Sequence, residues 1–94
     1  MAILSGAELE QAVATLSGWT LEQGELVQHR TFKDFPAAIH FVNRVAPLAE
    51  EAGHHPDIDI RYNRVRLALI SHDAGGITER DISMAKRISG ISVS

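Results

Sequence analysis

Apolar residues recur at helical spacing near the start of the chain, over residues 5–16. The stripe consists of Leu9, Val13 and Leu16, and Gly18 follows it as a stop signal. Ser5 followed by Glu8 has the spacing of a capping box, in which each side chain binds a backbone N–H of the first turn. The pattern therefore predicts a first helix over 5–16.

A longer helical pattern over residues 34–52 predicts the main helix. Two adjacent apolar rows give it a wide buried face, formed by Ile39, Val42, Ala46 and Ala49 and by Phe41, Val45, Leu48 and Ala52. Asp34 is a suitable N-cap, and Pro36 falls in the first turn, where a missing N–H is tolerated. Pro47 lies in the interior and predicts a kink or a break into two helices. Gly53 is expected to end the helix as a left-handed cap.

The last helix is predicted over residues 78–91, with a well-specified start. Thr78 and Asp81 have capping-box spacing, and Ile77 and Ile82 occupy the positions of a hydrophobic staple. Its inward-facing residues are Ile82, Ala85 and Ile88.

Alternating apolar and polar residues predict four strands, over residues 19–21, 25–32, 58–62 and 64–71. Gln23-Gly24 supplies the turn of the first pair, and Asn63 marks a turn or bulge in the second. The resulting order is α-β-β-α-β-β-α. Two hairpins separated by a long helix are typical of an α+β fold, a four-stranded antiparallel sheet with helices packed on one face.

Length and composition narrow the class of protein. Ninety-four residues predict a single domain over 1–94, and the absence of cysteine excludes disulfides, zinc thiolate sites and cysteine nucleophiles. The first residues lack the basic and apolar regions of a signal peptide, and no segment has the length of a membrane span, so we expect a cytoplasmic protein.

Charge argues against nucleic acid as a partner. The net charge is −3 and the basic residues are scattered, the densest group being Arg61, Arg64 and Arg66. These arginines are expected to form a solvated face, with contact to an anionic substrate or partner as the alternative. Tyr62, beside them, is predicted to be a half-buried strand aromatic.

Three of the five histidines fall in residues 50–81. His54 and His55 follow the main helix directly, and His72 follows the last strand. The helix carbonyls near His54 and the carboxylate of Glu50, four residues earlier, both favour a positive imidazole, which suits a general acid. Pro56 restricts His55 to an extended conformation, which should turn the adjacent rings apart. Surface or capping roles and an acid–base site for a small molecule are about equally favoured by this chemistry alone.

Other polar residues have competing explanations. A zinc site made by the three histidines and a carboxylate is less favoured, because adjacent histidines rarely face one ion and no HxxxH spacing is present. Asp81 is assigned mainly to the capping box and less to orienting a histidine. His29 and His40 are assigned to the solvated surface.

At these positions the chain resembles the pterin-4a-carbinolamine dehydratase family. The resemblance rests on a spaced pattern of residues, Glu50, His54, His55, Pro56, Tyr62, His72 and Asp81. It extends to Gly18-Trp19, Asp34-Phe35, Val45-Ala46, Ala49-Glu50, Tyr62-Asn63 and residues 72–78, and so covers most of the chain, from about residue 16 to 88. It implies the same four-stranded fold.

The resemblance also implies a reaction, the loss of water from a 4a-hydroxytetrahydropterin to give the quinonoid dihydropterin. This step recycles the pterin used by aromatic amino acid hydroxylases, and it requires no metal or organic cofactor. The implied catalytic residues are His54, His55 and His72, of which His54 and His72 form the acid–base pair and His55 mainly binds and orients the pterin. The implied supporting residues are Glu50 and Asp81. The residues implied to line the pocket with the histidines are Pro56, Ser71 and Asp73.

Three positions depart from the family pattern. Many members have an acidic residue where this chain has Gly53, and an aromatic residue where it has Ile58, which weakens stacking on a flat ring. Pro47 interrupts the main helix. These departures are expected to affect the efficiency of the reaction more than its type.

A regulatory module that binds protein partners is the alternative function, because some animal relatives bind the dimerisation helices of a transcription factor. The resemblance further implies a homodimer or homotetramer. The last helix, around Met84 and Ile91, is expected to expose the apolar face for such contacts.

Overall fold

The computed structural model describes residues 2–92, and its seven elements follow the predicted order. They are α1 (Gly6–Ala14), β1 (Trp19–Glu22), β2 (Glu25–Thr31), α2 (Phe35–Ala52), β3 (Asp57–Arg61), β4 (Arg64–Leu69) and α3 (Glu79–Ser89). The strands form one antiparallel sheet in the order β1-β2-β4-β3, so the predicted α+β fold is confirmed. Within residues 2–92 no helix is long and apolar enough to cross a membrane.

One face of the sheet packs against the helices. Leu26 lies opposite Leu69 in the β2–β4 ladder, and Leu67 lies opposite Ile58 in the β3–β4 ladder. Side chains alternate along a strand, so these residues share one face, and the buried leucines join Phe41 of α2 in the core. The opposite face, referred to as the open face, carries residues 25, 27, 29 and 31 of β2, 57, 59 and 61 of β3, and 64, 66 and 68 of β4.

Both hairpins turn through residues with positive φ. Gln23 and Gly24 have φ values of 51° and 80°, the sign that a two-residue type I′ turn requires at both positions. The second hairpin turns at Tyr62, with φ 56°, and Asn63. Since β3 ends at Arg61 and the Tyr62 side chain is 69% exposed, the prediction of a half-buried strand residue is wrong.

Helix α2 supplies the largest buried helical face. Asp34 accepts a hydrogen bond from the Ala37 N–H at 2.9 Å, as expected of an N-cap. The helix continues unbroken through Pro47, so the expected break into two helices is wrong. The proline ring is exposed, whereas Val45 and Ala49 on either side are buried. Their packing holds the helix together despite the missing backbone hydrogen bond.

Helix α3 buries residues that were expected to be exposed. Met84 is 2% and Ile91 7% exposed, so the predicted apolar contact face around them is wrong. Arg30, on the covered face of the sheet, donates to the carbonyls of Ile88 at 3.3 Å and Ile91 at 3.1 Å and lies 4.5 Å from the ring of Phe41. Burial lowers the pKa of Arg30, and its contacts fasten the end of α3 to the sheet.

Helix α1 begins after Ser5 but lacks the predicted capping box. Ser5 is the N-cap residue, yet its side chain accepts no hydrogen bond from the first turn. The helix ends at Ala14, two residues before Leu16, which is nevertheless buried in the core. The packing of Leu16, rather than a capped first turn, holds this segment against the sheet.

Candidate active site

The end of α2 reverses the chain and presents the histidine pair. Gly53 has φ 61°, and its N–H donates to the carbonyl of Glu50, while the His54 N–H donates to Ala49. These two bonds define a Schellman motif, so the predicted left-handed cap is confirmed. A side chain at this φ would be strained, which favours glycine at this position.

The ring of His54 is nearly buried and is held by a carboxylate from another helix. Its Nε2 lies 2.5 Å from Oδ1 of Asp81, at the start of α3. The sequence interpretation paired His54 with Glu50 instead, and that pairing is wrong. It assumed that helical spacing continues past Gly53, but the Schellman turn directs His54 towards the interior.

Asp81 both caps α3 and orients His54. The residue is fully buried. Its Oδ2 accepts hydrogen bonds from the Thr78 N–H and the Ser71 hydroxyl, each at 2.9 Å, while Oδ1 meets His54. The predicted capping box is therefore confirmed, and the expectation that capping would largely occupy this carboxylate is wrong, since its two oxygens divide the roles.

Ser71 connects the end of β4 to this buried network. Its hydroxyl is also 2.8 Å from Oγ1 of Thr78, and the residue is 1% exposed. The hydroxyl is thus hydrogen-bonded within the protein. Pro56, which directly follows the histidine pair, is buried as well.

His55 lies outside the buried network, in contact with solvent. Its Nε2 is 2.6 Å from Oε1 of Glu50, and the two side chains are 60% and 78% exposed. The adjacent imidazoles therefore have different surroundings, as the restriction by Pro56 predicted. Glu50 remains a histidine partner, but of His55.

His72 occupies a short loop that directly follows Ser71, one of the partners of Asp81. Ser71 and Gly76 form an antiparallel bridge that closes the loop, and the Ser71 carbonyl accepts hydrogen bonds from the N–H groups of Ala74 and Gly75. His72 is exposed. Because it directly follows Ser71, whose hydroxyl binds Asp81, the loop places His72 next to the network that holds His54.

Asp73, which directly follows His72, forms an ion pair that was not predicted from the sequence. Arg80 donates to the exposed carboxylate of Asp73. This hydrogen bond holds the pKa of the Asp73 carboxyl below its usual value. The Nε of Arg80 is buried and has no partner within residues 2–92. The only sequence signal was the place of Arg80 beside the capping residue Asp81.

Other residues singled out in the sequence lie elsewhere. Tyr62 is at the far end of β3 from the histidine pair. His29 is on β2, 2.9 Å from Glu22, and the hydrogen bond from His29 lowers the pKa of that carboxyl. His40 is exposed on α2. In the described part of the chain, no three histidine or acidic side chains are grouped so that they could hold a metal ion.

The arrangement provides one imidazole, that of His54, which is fixed by a buried carboxylate. The imidazoles of His55 and His72 are more accessible. As a carboxylate, Asp81 only accepts hydrogen bonds, so His54 donates through Nε2 and its Nδ1 is left for a ligand. A histidine whose orientation is set by a buried carboxylate is a common element of acid–base sites.

Comparisons with known proteins identify the family. The family model for pterin 4 alpha carbinolamine dehydratase matches residues 2–91. Proteins named "Putative pterin-4-alpha-carbinolamine dehydratase" from Chloroflexus aurantiacus and Acidobacterium capsulatum are 58% and 54% identical, over 94% and 97% of this chain and 95% and 99% of theirs.

Solved structures agree with this result. The crystal structure of a transcriptional coactivator/pterin dehydratase from Brucella melitensis superposes with a TM-score of 0.89 at 34% identity, covering 94% of this chain and 96% of that one. A pterin dehydratase-like protein identified as a RuBisCO assembly factor in the alpha-carboxysome has a TM-score of 0.61 at 24% identity, covering 79% and 89%, and shares the fold alone. The chain described here belongs to the pterin-4a-carbinolamine dehydratase family.

Proposed function

We propose that the protein removes water from a 4a-hydroxytetrahydropterin to give the quinonoid dihydropterin, using histidines as acid and base. Family membership and the similar proteins support a pterin-4a-carbinolamine dehydratase activity by homology. The observation that carries the chemical proposal is the buried Asp81–His54 pair, with the exposed His72 one residue beyond a third member of its network.

The reaction requires two proton transfers. The C4a–O bond breaks with its electron pair on oxygen, which takes a proton and leaves as water. A ring N–H loses its proton, and a C=N double bond forms at C4a. A positioned acid and a positioned base therefore suffice, and each such transfer typically contributes about 10²- to 10⁴-fold to the rate.

The two imidazoles suited to these transfers are His54 and His72. Asp81 binds Nε2 of His54 and keeps the ring in one orientation, so a proton is gained or lost at Nδ1. His72 has no side-chain hydrogen bond within residues 2–92 and exchanges protons with ligand or solvent. We assign the acid–base pair to these two residues jointly.

His55 and Glu50 form the exposed side of the proposed site. Their 2.6 Å contact holds the His55 ring in place without burying it, which suits binding and orienting a polar ligand. Asp73, tied to Arg80, keeps the His72 loop in position and offers a carboxylate to the ring N–H groups of a pterin. The carboxylates of Glu50 and Asp73 thus support histidines rather than transfer protons themselves.

The direct experiment generates the 4a-hydroxytetrahydropterin with an aromatic amino acid hydroxylase. Formation of quinonoid dihydropterin is then followed with and without the purified protein. We expect a rate that increases in proportion to protein concentration above the spontaneous dehydration. A rate equal to the spontaneous one would exclude the proposed activity.

A protein-binding role is the second candidate, favoured by the name of the Brucella melitensis structure, which joins a coactivator and a dehydratase. It would use surfaces away from the histidines. Variants of His54 and His72 that abolish dehydration should then leave partner binding intact. Loss of both properties in the same folded variants would argue against a separate binding role.

A further inference from the structure

A cavity on the open face of the sheet lies apart from His54, His55 and His72. It has a volume of about 260 Å³ and is bordered by residues of β2, β3 and β4, including His29, Thr31, Arg61, Arg64 and Arg66. It is centred near the start of β4, whereas the histidine network surrounds Ser71, beyond the end of that strand. Six residues of extended chain separate Val65 from Ser71, roughly 20 Å at about 3.3 Å per residue.

The strand register places like charges together beside this cavity. Arg61 lies directly opposite Arg64 across the β3–β4 hairpin, and Thr31 lies opposite Arg64 on the other side. Like charges that face each other across two strands destabilise a sheet. The next position along β4 is Arg66, which lies opposite His29 on one side and opposite the carboxylate of Asp59 on the other. A counter-ion between these groups would relieve the repulsion.

Carboxylates in the described chain compensate only part of this charge. Asp59 accepts a hydrogen bond from Nε of Arg61 at 3.0 Å, and Glu22 is 3.8 Å from Arg66. Glu22 is closer to His29, at 2.9 Å. Arg64 forms no ion pair with any carboxylate within residues 2–92, so its guanidinium remains available to a ligand.

The hairpin that carries these arginines is held rigidly. The Asn63 side chain donates to the Phe32 carbonyl at 2.7 Å, and the Phe32 N–H donates to the Asn63 carbonyl at 2.8 Å. Tyr62 keeps a φ of 56°, which is unfavourable for a bulky residue and marks a local cost to stability. The fixed backbone of this hairpin keeps Arg61 and Arg64 opposite each other.

We propose that this cavity binds a small phosphate-bearing anion, at a site separate from the candidate active site. Guanidinium groups match phosphate oxygens with two parallel hydrogen bonds, and the Thr31 hydroxyl adds a donor. The volume is below the usual range of about 300–1,000 Å³ for small-molecule pockets, so the ligand is the size of a diphosphate group or a small phosphate ester. The surrounding acidic residues disfavour a long nucleic acid strand.

The test uses inorganic pyrophosphate as the probe, titrated at constant ionic strength into ¹⁵N-labelled protein. We expect chemical shift changes confined to residues 29–31 and 59–66. Arg64→Gln should weaken binding about tenfold or more, on the usual strength of a charge-assisted hydrogen bond. Arg44→Gln is the matched control, because Arg44 is exposed on α2 and bonded to the Ser92 carbonyl. It should bind pyrophosphate like the original protein.

Thermal unfolding separates a ligand site from a structural arginine. Without pyrophosphate, Arg64→Gln should unfold at the same or a higher temperature, because the repulsion from Arg61 is removed. With pyrophosphate, the original protein should gain stability and the variant should not. The proposal would be overturned by absent binding, by equal weakening in Arg44→Gln, or by an oligonucleotide that binds these residues more tightly than pyrophosphate.

Discussion

Asp81 binds the ring of His54 through one carboxylate oxygen, 2.5 Å from Nε2, and the backbone of Thr78 through the other. The residue that begins α3 therefore also orients a proposed catalytic imidazole. Any displacement of α3 at this end would move the histidine with it. The stability of the helix start and the proposed chemistry are consequently coupled through a single side chain.

Asp81→Asn should test this coupling. The amide cannot accept all three hydrogen bonds that the carboxylate accepts, so we expect a loss of about 1–3 kcal/mol in the free energy of unfolding. The dehydration rate of the folded protein should fall by at least about 10-fold, because His54 loses its orienting charge. Urea unfolding and the coupled hydroxylase assay measure the two effects.

Thr78→Ala is the matched control for Asp81→Asn. It removes the capping hydroxyl but leaves the Asp81–His54 contact, so we expect a loss of about 1 kcal/mol in stability and a dehydration rate near that of the original protein. If Asp81→Asn behaved like Thr78→Ala in both measurements, Asp81 would be a helix cap without a role in positioning His54.

His72→Ala should lower kcat by about 10- to 1000-fold, as expected when a general acid or base is lost. The side chain is exposed, so the fold should persist, and circular dichroism should confirm it. His29→Ala provides a control, because His29 is also exposed but lies on the open face with Glu22. Equal activity of the two variants would rule out an acid–base role for His72.

The helices and hairpins could largely be predicted from the sequence because their signals are local. The Asp34 cap, the Gly53 turn and the Thr78–Asp81 capping box each involve residues within five positions of one another. Local signals were not always sufficient. Ser5 has the correct neighbours for a capping box but does not form one, since spacing alone does not determine side-chain orientation.

The sequence alone singled out the residues of the candidate site, but not which of them are hydrogen-bonded to each other. His54 and Asp81 are 27 positions apart, and only the packing of α2 and α3 brings them together. Helical spacing instead suggested Glu50 as the partner of His54. Met84 is a different case, because it lies four residues before Ile88 and therefore on the buried side of α3, a local signal that the predicted contact face overlooked.

The contact between Asp73 and Arg80 should make the His72 loop sensitive to acid. Arg80 lowers the pKa of the Asp73 carboxyl from its ordinary 3.8. The ionised carboxylate is therefore favoured in the folded protein, and the contact is complete above pH 3.8 and lost as the pH falls through the lowered pKa. ¹³C detection of the Asp73 carboxyl should show this lowered pKa directly.

Arg80→Gln should return the pKa of Asp73 towards its ordinary value. Arg87→Gln is the control, because Arg87 is paired with Glu51 at 3.1 Å and not with Asp73. A pKa of Asp73 that is the same in the original protein and in Arg80→Gln would show that the ion pair does not persist in solution.

Self-association is expected to use an edge of the sheet rather than α3. Light scattering should then give the mass of a dimer or tetramer. Leu21 on β1 and Ile58 on β3 are 41% and 39% exposed, and both lie on edge strands. Exposed edges with apolar residues favour pairing with another chain. Either Leu21→Lys or Ile58→Lys should give a monomer, and the other variant then serves as its control. A monomeric original protein would contradict the prediction.

Pro47→Ala should stabilise the protein, because Pro47 is an exposed residue inside the continuous helix α2. Alanine restores an N–H that can donate to the Asn43 carbonyl and removes the clash of the proline ring with that carbonyl. We expect a gain of about 1–3 kcal/mol in the free energy of unfolding, measured by urea denaturation. Ala46→Gly, at the neighbouring exposed position, should instead lose about 1 kcal/mol. If Pro47→Ala left stability unchanged or lowered it, the backbone around this residue would have to be distorted so that the restored N–H finds no acceptor.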